Sequence, residues 1–87
     1  MTFKVSFATP DKLIFNGEAI SLSLPGSQGS FEVLADHAPI MSLLTIGCIV
    51  LVDKDKQTST WDISTGYFEM SHNQASILAE TSDSSPI

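Results

Sequence analysis

Cysteine, basic residues and long apolar runs are all scarce in this sequence, and each scarcity removes a class of function. The one cysteine, Cys48, has no partner for an internal disulfide, and its spacing from His37 and His72 matches no paired-ligand metal motif. Four Lys plus Arg stand against ten Asp plus Glu, a formal charge of -6, so there is no basic stripe with which to track phosphates. The same imbalance opposes direct contact with an anionic lipid surface. The most apolar window, Ile46 to Val52, is far too short for a transmembrane helix and runs straight into Asp53. The expectation is therefore no nucleic-acid partner and no direct membrane insertion, with any membrane association indirect. Met1-Thr2-Phe3-Lys4 begins no apolar stretch of the signal-peptide kind, which together with the lone cysteine indicates an intracellular setting.

What is present is compact and apolar. Eighty-seven residues suffice for one domain, which buries roughly 60 to 65% of the surface its unfolded chain exposes and gains from a partner that adds buried area. Apolar residues make up 43% of the chain and charged residues 16%, which is too hydrophobic for disorder and leaves apolar surface for another protein.

Alternation with a period of two dominates. Phe3, Val5 and Phe7 share one face of an opening strand, and Thr9-Pro10-Asp11-Lys12 turns the chain. Leu13-Ile14-Phe15 is expected as a short strand ended by an Asn16-Gly17 hairpin turn. The next strand, Glu18 to Leu24, sets Ile20, Leu22 and Leu24 against Ser21 and Ser23. Gly26 to Ser30 reads as a tight connection, Phe31 and Val33 resume the period, and Pro39 keeps the irregular stretch from Leu34 onward out of helix. Short strands follow at Ile40 to Leu44 and Ile46 to Val52, with a polar tip at Asp53 to Gln57. Thr58 to Ile63 and Tyr67 to Met70 flank a bulge at Ser64-Thr65-Gly66, and Ala75 to Ala79 is the last strand. The expected fold is all-β, an antiparallel sandwich or flattened barrel of about eight to ten short strands. It occupies residues 1–80, with a frayed polar tail over 81–87.

Sites of chemistry are poorly supported. Asp36-His37 with nearby Ser42 supplies the residue types of a hydrolase triad, but adjacent residues of an extended chain point to opposite sides. Asp53 and Asp55 flank Lys54 without the glycine and glutamate of a calcium loop, and Pro25 to Gly29 lacks the ending of a phosphate loop. No catalytic, cofactor-binding or metal-ligating residue is assigned. The apolar cluster Leu34, Ile40, Met41, Leu43 and Leu44 divides evenly between two roles, the packed end of a sandwich and an interface.

Around that cluster the stretch from Leu24 to Ile40, centred on His37-Ala38-Pro39, resembles the signature of F-type ATP synthase ε subunits. The likeness extends to Phe15-Asn16-Gly17, Gly47, Ser64 to Glu69, Asn73 and Ile77-Leu78-Ala79-Glu80, and so covers nearly the whole chain. Asp36 and Glu32 stand where the family commonly has Gly, and Thr65 replaces one member of a Gly-Gly pair. Asp tolerates the left-handed backbone better than most residues. The C-terminal helical hairpin typical of the family is missing, so inhibitory and ATP-binding roles carried by that hairpin are not implied. A natural short form is expected over a piece cut from a longer chain.

The resemblance implies a non-catalytic rotor subunit of a proton-translocating synthase, present in one copy, peripheral on the cytoplasmic face of a bacterial inner membrane. It implies binding to the γ subunit and to the c ring, with no cofactor. By similarity, Gly26, Ser27, Gln28, Gly29, Ser30 and Phe31 face the c ring, and His37, Ala38, Pro39, Ile40, Met41, Leu43 and Leu44 face γ. Two other readings compete: a small ligand-binding or hydrolytic β-domain using Asp36 and His37, and an adaptor of unrelated origin docking through the apolar cluster.

Overall fold

The computed structural model describes residues 1–82, and all of its regular structure is strand. Seven strands follow one another: β1 (Phe3–Ala8), β2 (Leu13–Gly26), β3 (Gly29–Leu34), β4 (Ile40–Leu44), β5 (Gly47–Asp53), β6 (Thr58–Ser71) and β7 (Gln74–Thr81). β2 and β6 are each 14 residues long, and each takes part in both layers of a sandwich. Sheet I consists of β3, the second half of β2, β5 and the first half of β6. Sheet II consists of the first half of β2, β1, β7, the second half of β6 and β4. All pairings are antiparallel except that of β1 with β7. Counted by halves, the seven strands make nine short segments, so the expected flattened barrel is realised with two strands that turn its corners.

Two local expectations are corrected. Asn16-Gly17 is no hairpin turn: both residues lie inside β2, where Asn16 pairs with Ser6 and Gly17 with Val5. The chain has already reversed at Pro10 and Asp11, where Thr9 N–H donates to the Lys12 carbonyl at 2.8 Å. Gly17 instead makes room for an aromatic ring, since a Cβ there would lie 3.1 Å from Phe15 Cζ. Ile20 does not share the face of Leu22 and Leu24. The β2–β5 register skips it between Ala19 and Ser21, and Ala19 takes the buried place. This bulge is where β2 leaves one sheet for the other, and it resets the alternation by one residue.

The second corner is the bulge between Ile63 and Thr65, at the expected position but within one continuous strand. Between the sheets lie Phe3, Val5, Phe7, Leu22, Leu24, Val33, Ile49, Leu51, Ile63, Phe68, Met70 and Ile77, each no more than 2% exposed. Their alternation along every strand is the hydrophobic driving force of the fold written as a period of two. Among the described residues no polar or charged residue is buried. β7 runs through Thr81, and Ser82 N–H donates to the Asp62 carbonyl at 2.9 Å. The remainder of the expected polar tail, 83–87, lies outside the described residues. Among the described residues no helix is long and apolar enough to cross a membrane.

Candidate partner-binding surface

β4 shows how one strand divides between core and surface. Leu44 is 4% exposed and Ile40 packs against the core, whereas Met41 and Leu43 leave 67% and 64% of their surface outside. Leu44 is therefore a core residue and drops out of the expected γ contact. Alternation along β4 puts its side chain inside, and it pairs with Gly26 to join β4 to β2. The cluster read from the sequence is split by the fold: Leu34 sits on the outer face of sheet I, paired with Ser21.

Register supplies what the sequence did not. Leu43 lies opposite Tyr67 of β6, and Tyr67 opposite Leu78 of β7. Phe68, Ile77 and Ala79 are buried, so Tyr67 and Leu78 face outward with Leu43. A row of large apolar side chains thus crosses three adjacent strands of sheet II, at the roughly 5 Å spacing of neighbouring strands. Beside it runs the row Met41, Glu69, Ser76, where Glu69 accepts a hydrogen bond from the Tyr67 hydroxyl at 3.5 Å. On the other side a depression of about 250 Å³ is lined by Pro10, Thr65, Tyr67, Leu78 and Glu80. An apolar strip edged by Glu69, Ser76, Thr65 and Glu80 has the composition of a docking patch with a polar rim. Tyr67 and Leu78 were absent from the γ and c-ring contact candidates, although the sequence marks Tyr67 as a core or interface aromatic. The signal was there: Leu78 is a large apolar residue on the polar side of an alternating strand.

The loop between β3 and β4 carries His37, Ala38 and Pro39, all exposed. Asp36 adopts φ 63°, the left-handed conformation expected where the resembled family has glycine. Its N–H donates to Asn73 Oδ1 at 2.7 Å, and His37 N–H donates to the Leu34 carbonyl at 3.3 Å. His37 Nδ1 lies 2.7 Å from the carbonyl oxygen of Ala38, and the Ser42 hydroxyl donates to the Leu43 carbonyl at 2.9 Å. The side chains of His37 and Ser42 engage neighbouring backbone, among the described residues no hydrogen bond joins them to each other or to the Asp36 carboxylate, and none of five surface depressions is lined by Asp36 or His37.

At the opposite end of β3 and β4 is a hairpin tip with Ser27 and Gln28 as its turn. Ser27, Gln28, Gly29 and Ser30 are exposed, while Gly26 is buried and Phe31 is half-buried, its ring centroid 5.7 Å from that of Phe68. Gly29 has φ 124°, which L side chains rarely adopt, and a Cβ on Gly26 would lie 2.7 Å from the Gly29 carbonyl oxygen. Gly26 and Phe31 thus support the tip, and the surface it offers is Ser27 to Ser30.

The acidic tip between β5 and β6 is occupied by its own backbone. Asp53 Oδ1 accepts from the N–H groups of Asp55 and Gln57 at 2.8 and 3.0 Å, an Asx-type turn. Among the described residues no three His, Cys, Asp or Glu side chains gather into a group that could hold a metal ion.

Comparison with known proteins agrees with this geometry. The β-sandwich domain of the ATP synthase Delta/Epsilon chain matches residues 2–84. The ATP synthase epsilon chain of Protochlamydia amoebophila is 40% identical over 84 residues, which is 97% of this chain and 57% of that protein. The epsilon chain of Chlorobium limicola is 40% identical over 78 residues, which is 90% of this chain and 89% of the relative. Among solved structures, a chain of the Euglena gracilis mitochondrial ATP synthase, in a structure of OSCP, F1 and the c-ring, superposes with a TM-score of 0.84. That match covers 98% of this chain and 56% of the other at 16% identity, and so speaks for the fold alone. With residues 2–84 matched and relatives 40% identical over most of its length, the chain belongs to the ATP synthase delta/epsilon-chain β-sandwich family.

Proposed function

We propose that this chain is a non-catalytic central-stalk subunit of a proton-translocating F-type ATP synthase. It joins the γ subunit to the c ring in one copy per complex, on the cytoplasmic face of a bacterial inner membrane. The observation that carries this reading is the outward row Leu43, Tyr67, Leu78 with Met41 beside it, on a fold whose relatives are synthase epsilon chains. γ takes that face and the His37 loop, and the c ring takes Ser27 to Ser30.

The two contacts share backbone. Ser27 N–H donates to the Leu43 carbonyl at 2.9 Å, and Thr45 N–H donates to the Pro25 carbonyl at 2.8 Å. A load applied at the tip therefore reaches β4 through the two main-chain hydrogen bonds that make the Gly26–Leu44 pair. That arrangement suits a part that passes torque between two partners.

Co-purification tests the reading. The chain drawn from detergent-solubilised membranes should bring γ and c subunits with it, and Met41→Asp should lose γ while the purified domain keeps its melting temperature. A wild-type chain that stays a soluble monomer with no affinity for γ would contradict the proposal.

A further inference from the structure

Asn73 does more than its turn requires. The β6–β7 hairpin closes through His72 and Asn73, with φ 52° and 61°, between the paired residues Ser71 and Gln74. Such a two-residue turn needs positive φ at both central positions, which Gly, Asn or Asp can supply. The Asn73 side chain, half-buried, is then used twice over. Its Oδ1 accepts from Asp36 N–H at 2.7 Å, and its Nδ2 donates to the Thr2 carbonyl at 3.0 Å. Its own carbonyl accepts from Lys4 N–H at 3.1 Å.

The orientation of the amide follows from these partners, because a backbone N–H can only donate and a carbonyl can only accept. Asparagine alone meets both demands at a left-handed position: glycine has no side-chain group, and an ionised aspartate has no donor. One residue therefore ties together the start of β1, the β6–β7 turn and the loop ahead of β4. Among the described residues it makes the only hydrogen bond from the 35–39 loop to a segment outside β3 and the loop itself. The bond falls on Asp36, the left-handed residue that aims His37, Ala38 and Pro39 before the chain enters β4.

We propose that Asn73 is a positioning residue for the partner surface, pinning the Asp36–Pro39 loop so that His37 and the start of β4 are presented preformed. This rests on the reading that loop and strand face γ. A loop ordered before contact saves the ordering entropy that binding otherwise has to supply.

Asn73→Gly keeps the turn's backbone freedom and removes both side-chain bonds. Asn73→Asp keeps an acceptor for Asp36 N–H and loses the donor to Thr2. In the isolated chain, N73G should speed amide hydrogen exchange at Asp36 and His37 about tenfold, the scale of one lost hydrogen bond, with exchange in β6 and β7 unchanged. Its affinity for the γ subunit of the same synthase should fall about tenfold, and N73D should recover most of both effects. Wild-type exchange at Asp36 in N73G, or wild-type γ affinity despite faster exchange, would overturn the assignment. Should N73G melt globally at lower temperature, N73D decides: faster Asp36 exchange with the acceptor kept counts against the role. A wild-type chain that ignores γ sinks the docking reading, while the exchange measurement separately decides whether Asn73 fixes the loop.

Discussion

On the outer face of sheet II, Leu43 and Leu78 leave 64% and 51% of their surface to solvent beside Met41 at 67%. The outer face of sheet I presents Ser21, Ser23, Val50 and Val52 at its centre, all half-buried, with Thr58 and Thr60 exposed next to them. Both faces obey the same alternation over the same core. They differ in side-chain length at their centres: on sheet I short and β-branched residues make a level surface, with the long Leu34, 52% exposed, only at the edge on β3, whereas Met, Leu and Tyr stand clear across sheet II. Size of the side chain on the polar side of a strand, more than polarity itself, sets the proposed docking face apart from the other.

Magnitudes limit what the apolar face does alone. Burying the exposed remainder of Met41, Leu43 and Leu78 gives roughly 1 to 1.5 kcal/mol each. The total, about 3 to 5 kcal/mol, is short of the roughly 8 kcal/mol of a micromolar complex before any entropy of association is charged against it. For the proposed complex with γ, Tyr67, the polar rim and the His37 loop would have to supply the rest, while the hairpin tip would hold the c ring as a separate contact.

The comparison assumes a single core behind both faces. Phe68→Ala removes a fully buried ring and should lower stability by about 3 to 5 kcal/mol. Both faces should melt in one denaturant transition, with probes on Val50 and Leu43 reporting the same midpoint; two midpoints would mean the sheets are separate units. Next in size is Leu43→Asp, which should weaken γ binding by about 2 to 3 kcal/mol with little change in melting temperature. Thr60→Asp on the other face should leave γ affinity within about twofold, as surface substitutions away from an interface do. Equal losses from the two substitutions, measured by titration calorimetry, would erase the distinction between faces.

Gly47→Ala probes the link from face to tip. A Cβ there would sit 2.6 Å from Pro25 Cβ, against a rigid ring at the base of the tip. The substitution should destabilise the domain by about 1 to 3 kcal/mol, as overpacking does, and speed amide exchange at Ser27. An unchanged Ser27 rate would uncouple the tip from the β4–β5 turn.

The smallest effect belongs to Glu18, an exposed residue of the first half of β2. A hydrogen bond from the Thr2 hydroxyl at 2.6 Å, aided by the charges of Lys54 and Lys4, holds its carboxyl below the usual value of 4.5. A depressed folded-state pKa adds stability above the ordinary carboxylate range and loses it as pH falls through the folded value. Melting curves of wild type and Glu18→Gln should therefore differ slightly at pH 7 and converge in acid. A gap that widens on acidification would reverse the sign.

Much of this was legible in the residues. Phe3, Val5 and Phe7 marked the core side of β1 and the hairpin tip was visible in its glycines, while the left-handed Asp36 was legible only through the family likeness. The Asn16-Gly17 pair misled because a turn-prone dipeptide is also compatible with a strand interior when a neighbouring ring needs the space above glycine. Ile20 misled because a bulge shifts the period with no local sequence mark. The row proposed for docking was hidden for another reason: Leu43, Tyr67 and Leu78 become neighbours only through the registers of β4 with β6 and β6 with β7. Asn73 was noticed in the family likeness, yet its hold on Asp36 spans 37 residues and no local pattern announces it.

The most direct test of the central claim is amide hydrogen exchange of the chain with and without saturating γ subunit. The account predicts added protection at Met41, Leu43, Tyr67 and Leu78 and in the His37 loop, with Ser21, Ser23, Val50, Val52 and Thr60 unaffected. Protection on the outer face of sheet I with none at Leu43 and Leu78 would contradict it.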